Sequence, residues 1–305
     1  MKKIRTLLMG TPQLAADIFE SILTDERFDI VGIVSQPDKP VGRKQELRVT
    51  PTKKIAKKYN IEIFQPEKAS RKLFVQKMNE LNIDVAFVVA YGQILKQRFL
   101  DVPKHGCVNL HGSLLPLYRG ASPIQAALLN GDDRSGITYI KMDASMDAGD
   151  VICDFEVDIA PNDRLTDLAT KLVQMGKKTL ANALAEYVNG NTHLIMQDHD
   201  QASYCQKIEK TDGYIDPPNM SVSDVYNRFR AYSPWPGISI EWEGKRIKLI
   251  EMKPSSLSKT SDEVLFHDDK QLYLSTDTGV LIVDVLQLPG KKPISGLDFI
   301  NSYLI

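Results

Sequence analysis

An asparagine and a histidine stand two positions apart near the end of an apolar run, in the segment CVNLHGSLLP that begins at Cys107. If this run is a strand, Asn109 and His111 point to the same face, because alternate side chains of a strand do so. An amide and an imidazole placed together can stabilise negative charge on an oxygen and transfer a proton. An isolated pair of this kind is also compatible with a structural role, so the surrounding residues must distinguish the two interpretations.

A loop rich in carboxylates follows another apolar run, Ile137–Met142, and has the sequence DASMDAGD. Asp147 is the candidate partner for His111, whereas Asp143 and Asp150 are interpreted as turn carboxylates. Because ligands bind beyond the carboxyl ends of parallel strands, both segments are expected at the same edge of one sheet. Asp147 would then orient the imidazole and favour its charged form, or hold a water that carries the proton.

Short apolar runs alternate with helical patterns as far as about residue 190. This alternation predicts an α/β domain over residues 1–190 with a Rossmann-like, doubly wound and mostly parallel sheet. A long helix from Arg164 to Val188 would close the domain, with Gly190 as its stop. The predicted strands are Thr6–Met9, Ile30–Ser35, Ile61–Phe64, Val85–Ala90, Cys107–Leu110 and Ile137–Met142.

The chain changes character after Asn191. Residues 191–212 hold few apolar side chains and are interpreted as a linker. The short, closely spaced strands beyond it, with hairpin turns such as Glu243-Gly244, predict a smaller β-barrel-like (OB-like) domain over residues 213–305. Its predicted elements are a helix over Ser221–Ala231 and the strands Ile238–Trp242, Lys245–Met252, Gln271–Ser275 and Val280–Gln287.

The bulk composition is that of an ordinary folded protein, with 305 residues, 43% hydrophobic and 25% charged, and a net charge of −1. Three scattered cysteines form no CxxC pair, which argues against a disulfide framework or structural zinc. The first apolar run stops at Gly10-Thr11-Pro12, too soon for a signal peptide or a membrane span. We therefore expect a cytoplasmic protein without membrane association. Met9–Pro12 also lacks the GxGxxG pattern of dinucleotide-dependent oxidoreductases.

The run HGSLLPLYRGASPIQ, from His111 to Gln125, resembles the signature of folate-dependent formyltransferases. The similarity extends along essentially the whole chain. Within the family, the chain is similar to members that transfer the formyl group of 10-formyltetrahydrofolate to the α-amine of methionine on initiator Met-tRNA. The further matching segments are MGTP at Met9–Pro12, SQPDKPVGRK at Ser35–Lys44, VAYGQIL at Val89–Leu95 and SPWPG at Ser233–Gly237.

The resemblance implies a role for each group of candidate residues, in a monomeric enzyme of translation initiation that needs no metal. A basic loop at about residues 36–50 would enter the acceptor arm of the tRNA, and the C-terminal domain would also bind tRNA. Arginine suits this task because its planar fork binds two phosphate oxygens. The implied catalytic set is Asn109, His111 and Asp147, the folate site is lined by Ser113, Leu114, Leu115 and Pro116, and the tRNA-binding cations are Arg43, Lys44, Lys39 and Arg48.

In the implied reaction an amine attacks the formyl carbon, and negative charge develops on the carbonyl oxygen. Asn109 would donate to that oxygen. His111 would either accept the proton of the amine or, if protonated, stabilise the oxyanion, and the residues alone leave both roles open. Other acceptors also stay open, namely an amino sugar nucleotide, a purine precursor, or water in a 10-formyltetrahydrofolate hydrolase. In a non-catalytic tRNA-binding protein, by contrast, the three residues would be dispensable.

Overall fold

The structure, a computed structural model, describes residues 2–41, 46–257, 261 and 263–304. The chain separates into two compact units, neither of which is continuous in sequence. The domain boundaries at residues 190 and 213 stay a prediction. The first unit comprises Met1–Pro123, Ser135–Val157 and Ala169–Tyr204, and the second comprises Ile124–Arg134, Asp158–Leu168 and Cys205–Ile305.

Helices and strands alternate in the first unit, and strands predominate in the second. The strands of the described residues are β1 (Ile4–Gly10), β2 (Phe28–Val34), β3 (Lys39–Val41), β4 (Glu46–Arg48), β5 (Ile63–Phe64), β6 (Val85–Val89), β7 (Cys107–His111), β8 (Arg119–Gly120), β9 (Arg134–Lys141), β10 (Val151–Asp158), β11 (Tyr204–Cys205), β12 (Ile238–Trp242), β13 (Lys245–Pro254), β14 (Leu265–His267), β15 (Leu272–Ser275), β16 (Val280–Gln287) and β17 (Ile294–Ser295). The helices are α1 (Gln13–Glu20), α2 (Pro51–Lys58), α3 (Lys72–Glu80), α4 (Gln97–Leu100), α5 (Pro123–Asn130), α6 (Leu165–Val188), α7 (Val222–Tyr232) and α8 (Gly296–Phe299).

The first unit is built on a seven-stranded sheet with the order β10-β9-β7-β6-β1-β2-β5. β1 pairs in parallel with both β2 and β6, β2 pairs in parallel with β5, and β6 with β7. All five residues of β6 are buried, as expected when helices cover both faces of a parallel strand. The prediction of a doubly wound, mostly parallel α/β sheet is confirmed.

β9 departs from the parallel arrangement, because it is antiparallel to β7. Its register places Thr138 opposite His111, at the carboxyl end of β7. The carboxyl end of β9 therefore lies beside the amino end of β7, where the Met142 N–H donates to the Cys107 carbonyl. The prediction that the carboxylate loop leaves the same sheet edge as His111 is wrong, because strand direction cannot be read from the apolar pattern.

The second unit contains an antiparallel sheet with the order β12-β13-β16-β15-β14, and β17 pairs with β16. The sheet curls into a half-barrel. Glu243 and Gly244 join β12 to β13, and their φ angles are 48° and 70°. Positive φ at both positions is what a type I′ hairpin turn requires. The predicted smaller β-barrel-like fold is confirmed, with β14 and β17 as strands that the sequence pattern did not indicate.

Residues 191–204, part of the segment interpreted as a linker, make regular contacts within the first unit. Ile195 and Val151 exchange two backbone hydrogen bonds, of 2.8 and 2.9 Å. β11 pairs with β8, and the Arg119 N–H donates to the Ser203 carbonyl at 2.8 Å. This segment is therefore positioned by the sheet and can contribute side chains to a site. Among the described residues, no helix is both long and apolar enough to span a lipid bilayer.

An ion pair joins the start of α6 to β13 in the second unit. Arg164 Nη1 donates to Glu251 Oε1 at 3.1 Å, and Nη2 donates to Oε2. The guanidinium also lies 4.7 Å from the centre of the Phe229 ring. The hydrogen bond from Arg164 lowers the pKa of Glu251 below its ordinary value. A carboxylate of this kind stabilises the fold above its unfolded pKa, and the contribution is lost as the pH falls through the folded pKa.

We expect Glu251→Gln to lower Tm at pH 7 by about 1–3 °C, since a partly exposed pair contributes up to about 1 kcal/mol. The difference in Tm between wild type and variant should shrink below about pH 4, where the wild-type carboxylate becomes protonated. Circular dichroism melts between pH 7 and pH 3 measure this difference. Glu243→Gln, in the exposed β12–β13 turn, is the matched control. A difference that does not change with pH would contradict the assigned pairing.

Candidate active site

His111 is the last residue of β7, and only 5% of its surface is exposed. The imidazole Nε2 lies 2.9 Å from the carbonyl oxygen of Tyr118. A carbonyl oxygen can only accept, so Nε2 carries the proton and Nδ1 is the ring atom that can take up another. Nδ1 faces Asp147, whose Oδ2 lies 3.8 Å away. The structure thus brings together an imidazole and a carboxylate from distant parts of the chain.

Asn109 lies two residues before His111 on β7, so both side chains share one face of the sheet. Its neighbours in the adjacent strands are Val88 of β6 and Ile140 of β9. The residue is half-buried, and its amide makes no hydrogen bond to any residue that the structure describes. The Asn109 amide is therefore available to a ligand that lies against His111.

Asp147 belongs to a tight turn between β9 and β10, which we name the Asp147 turn (Asp147–Gly149). The φ of Asp147 is 51°, in the left-handed region that non-glycine residues seldom adopt. Its Oδ2 accepts a hydrogen bond of 2.9 Å from the Gly120 N–H. The turn approaches β9 so closely that a Cβ at Gly149 would overlap the Lys141 carbonyl. The loop leaves β9 at the sheet edge opposite to His111. It nevertheless folds back so that the Asp147 carboxylate lies beside the imidazole.

The turn after β7 contains the residues predicted to line the folate site. Ser113 is buried, and its hydroxyl donates to the Leu117 carbonyl at 2.6 Å. The Thr138 hydroxyl of β9 donates to the Ser113 carbonyl at 2.7 Å and accepts from the Leu115 N–H at 3.0 Å. Leu114, Leu115 and Pro116 are half-buried. The turn is thus tied to the sheet beside His111 and keeps apolar surface open to a ligand.

Two of the predicted tRNA-binding residues, Lys39 and Arg48, belong to a hairpin formed by β3 and β4, which the sequence pattern did not indicate. Lys39 and Arg48 are directly opposite one another in this hairpin, and both are exposed. Arg43 and Lys44 follow β3 in the chain and lie outside the residues that the structure describes. The structure thus pairs two of the four predicted cations across the hairpin.

Two polar residues behind the Asp147 turn were missed by the sequence reasoning. The Gln197 amide nitrogen donates to the carbonyls of Asp147 and Gly149, at 2.9 and 2.7 Å. Arg119 in turn donates to Gln197 Oε1, at 2.7 Å from Nη2 and 3.1 Å from Nε. Arg119 stands within the run from His111 to Gln125, where a polar residue could have been singled out. Gln197 lies in the segment interpreted as a linker and carried no local signal.

The three cysteines, all of which the structure describes, form no disulfide; Cys107 is buried, and Cys153 and Cys205 are half-buried. Burial raises the pKa of Cys153 to about 11, so its nucleophilic thiolate form is scarce at neutral pH.

Among the described residues, no group of three or more histidine, cysteine, aspartate and glutamate side chains could hold a metal ion. The polar side chains at the end of β7 are the Asn109 amide and the His111 imidazole, and the Asp147 carboxylate lies beside the imidazole.

Two protein-family models together match nearly the whole chain. The formyl transferase model matches residues 2–184, and the model of the formyl transferase C-terminal domain matches residues 207–304. The chain belongs to the formyl transferase family. The family predicted from the run between His111 and Gln125 is thereby confirmed.

Relatives within the formyl transferase family align with this chain over almost their full length. The chain is 38% identical over 304 residues to the methionyl-tRNA formyltransferase of Caldicellulosiruptor saccharolyticus, and the alignment covers 98% of this chain and 97% of the relative. It is 37% identical to the methionyl-tRNA formyltransferase of Thermotoga neapolitana, with 99% of this chain and 96% of the relative covered.

Two solved structures of formyltransferases share the fold of this chain. The sugar 3N-formyl transferase WlaRD, crystallised with dTDP and 5-N-formyl-THF, superimposes with a TM-score of 0.68 at 20% identity and covers 96% of this chain and 100% of its own. The N-formyltransferase of Helicobacter canadensis, in complex with folinic acid and dTDP-3-aminofucose, gives a TM-score of 0.67 at 18% identity, with 92% of this chain and 98% of its own covered. At these identities the likeness is one of fold alone.

Proposed function

We propose that this protein transfers the formyl group of 10-formyltetrahydrofolate to the α-amine of methionine on initiator Met-tRNA, giving formylmethionyl-tRNA for translation initiation. The observation that carries the proposal is the alignment, at 35–38% identity and over nearly the whole chain, with methionyl-tRNA formyltransferases. The convergence of Asn109, His111 and Asp147 supports it. We infer that the enzyme acts in the cytoplasm, as a monomer and without a metal.

The geometry supports a division of labour among the three side chains. As the amine attacks the formyl carbon, the Asn109 amide donates to the oxygen on which negative charge develops. Because Nε2 of His111 already donates to the Tyr118 carbonyl, Nδ1 is the basic atom, which favours the role of proton acceptor from the amine. Asp147 stabilises the imidazolium that results.

The proton and the bonds balance over the whole reaction. A carbon–nitrogen bond forms between the formyl carbon and the α-amine, and the bond from that carbon to the folate nitrogen breaks. The proton taken up by His111 Nδ1 returns to the leaving nitrogen, so the side chain regains its starting state. A free α-amine has a pKa near 8, so much of it is already neutral at pH 7 to 8. The rate therefore depends more on how the amine is positioned against the formyl carbon than on the basicity of His111.

We place the folate co-substrate against the turn after β7. Leu114, Leu115 and Pro116 offer half-buried apolar surface there, and the Thr138 hydroxyl fixes the backbone on either side of Leu114. An apolar wall that is held rigidly can orient a pterin ring before the reaction begins. The formyl group would then lie next to Asn109 and His111.

We assign the hairpin of β3 and β4 to the tRNA. Lys39 and Arg48 are opposite one another across the hairpin, and two like charges in that position destabilise a strand pair. A phosphate group between them would remove the repulsion and release counterions from the RNA backbone. Asp38 fixes the base of the hairpin, because it accepts from Lys53 Nζ at 2.6 Å and from Gln65 at 2.8 Å.

The direct test is to incubate the protein with 10-formyltetrahydrofolate and methionine charged on initiator or elongator tRNA. Formylation of the initiator form, with much slower reaction of the elongator form, is expected. Two parallel reactions contain an amino sugar nucleotide or water as the acceptor in place of tRNA. Preferential formylation of the sugar, or release of formate without transfer, would overturn the proposal in favour of another family activity.

We expect Arg43→Ala to lower kcat/KM for Met-tRNA by about 10-fold or more, the loss of one good phosphate contact. KM for 10-formyltetrahydrofolate should stay within about twofold, since this contact concerns the RNA alone. Steady-state kinetics with each substrate varied in turn make the measurement. Lys54→Ala, on the neighbouring helix α2, is the control. Equal losses for both substrates would contradict the assignment of Arg43 to tRNA.

A further inference from the structure

Arg119 is a buried cation whose side-chain hydrogen-bond partners are all neutral. Only 2% of its surface is exposed. Besides Gln197, it donates to His199 Nδ1 at 3.0 Å and to the Tyr204 hydroxyl at 3.4 Å. No carboxylate of the described part of the chain forms an ion pair with it. Enclosing a charge without a counter-charge is unfavourable, so stability alone does not explain this arginine.

Hydrogen bonding leaves the Gln197 side chain one orientation. Arg119 has only donors, so the atom of Gln197 that meets it must be the amide oxygen. The amide nitrogen therefore points the other way, and it donates to both the Asp147 and the Gly149 carbonyls. Gln197 is thus a rigid bridge between the guanidinium and both ends of the Asp147 turn.

The residues on either side of Arg119 also contact the catalytic side chains. The carbonyl of Tyr118 accepts from His111 Nε2 at 2.9 Å, and the Gly120 N–H donates to Asp147 Oδ2 at 2.9 Å. Three consecutive residues therefore hold the imidazole, the carboxylate and, through Gln197, the backbone that carries the carboxylate. This support stabilises the Asp147 turn, whose φ of 51° lies in the left-handed region that aspartate tolerates better than most side chains but that is still uncommon.

We propose that Arg119 is a positioning residue, which acts through Gln197 to hold the Asp147 turn so that its carboxylate faces His111 Nδ1. The inference rests on the proposed function, in which that carboxylate stabilises the imidazolium. A displacement of about 1 Å in a catalytic constellation can lower the rate by about 10²-fold. Releasing the turn therefore has a measurable consequence for kcat even though neither residue touches a substrate.

Gln197→Glu separates this role from a purely structural one. The new carboxylate still accepts from Arg119 and supplies the missing counter-charge, so the fold around the guanidinium is maintained. It has no N–H to donate, however, and it presents an oxygen to the carbonyls of Asp147 and Gly149. We expect kcat to fall about 10- to 100-fold, with KM for each substrate within about twofold of wild type.

The single variants Arg119→Met and Gln197→Leu and the double variant Arg119→Met/Gln197→Leu complete the experiment. Because both residues act on the same turn, the double variant should lose no more activity than the more damaging single variant. Arg5→Met is the control away from the site, since Arg5 donates to the Leu81 and Asn82 carbonyls and to Asp29 at the opposite end of the parallel strands. It should lower Tm without changing kcat. A crystal structure of Gln197→Glu should show Asp147 Oδ2 displaced from His111.

Wild-type kcat in Gln197→Glu, or an Asp147 turn that is unchanged in its crystal structure, would overturn the positioning role. Additive losses in the double variant would overturn the shared path through Gln197. Failure of the proposed function gives a different pattern, in which the wild-type protein itself does not formylate Met-tRNA. In that case the displacement of the turn in the crystal structure still decides whether Arg119 and Gln197 hold it.

Discussion

His111→Gln is expected to lower kcat for formyl transfer by about 10²–10⁴-fold, the usual contribution of a positioned acid–base group. Glutamine retains an N–H that can reach the Tyr118 carbonyl, the bond that His111 Nε2 makes at 2.9 Å. It has no basic atom at the place of Nδ1, which faces Asp147 Oδ2 at 3.8 Å. The variant therefore removes the proton acceptor and leaves the local hydrogen bond in place. Steady-state kinetics with initiator Met-tRNA measure the loss.

His193→Gln is the control for this variant, because His193 is exposed in the segment after α6. It should keep wild-type kcat and Tm. Turnover within about threefold of wild type, in a variant that melts normally, would contradict the catalytic role of the imidazole and favour a structural one.

Asn109→Ala is expected to lower kcat by about 10²–10³-fold, as when one donor to a developing oxyanion is removed. The Asn109 amide has no partner among the described residues, so its removal leaves no internal group unsatisfied and Tm should change little. KM for the folate co-substrate should stay nearly constant, because the interaction strengthens only in the transition state. Single-turnover formylation, with both substrates saturating, is the appropriate measurement.

Asn191→Ala is the matched control, at an exposed position after α6. The two catalytic variants should also differ from one another. Asn109→Ala should lower kcat by the factor expected for one oxyanion donor, about 10²–10³, whereas the loss in His111→Gln can reach the factor of about 10⁴ expected for an acid–base group. A change in KM with unchanged kcat in Asn109→Ala would place the amide in ground-state binding and would remove it from the oxyanion role.

The structure also bears on whether His111 acts as a base or as an oxyanion stabiliser, which the residues alone leave open. The Tyr118 carbonyl occupies Nε2, and the Asp147 carboxylate lies on the Nδ1 side. In the neutral ring that donates from Nε2, the free lone pair is on Nδ1, on the side of the Asp147 carboxylate. Arg119 and Gln197 extend this arrangement, because they hold the backbone from which the carboxylate projects.

The primary sequence was sufficient for much of the fold and for the composition of the candidate site. A strand that is buried on both faces, such as β6, is apolar at nearly every position. Such a run can therefore be recognised in the sequence as a buried parallel strand. The long helix α6 was predicted within one residue, because its apolar spacing and terminal glycine are local properties. The Asn-x-His pair and the run that follows it were likewise visible, since they lie within a few consecutive residues.

Only the tertiary structure decided how these parts meet. β9 is antiparallel to β7, so Asp147 reaches His111 from the opposite sheet edge, by a path that no local pattern encodes. Gln197 lies in a segment with no apolar periodicity. Its hydrogen-bond partner Arg119 is distant in the chain. The physical reason is that side-chain periodicity reports which face of an element is buried. The direction of a neighbouring strand, the course of a loop and the proton on an imidazole depend on contacts between residues far apart in sequence.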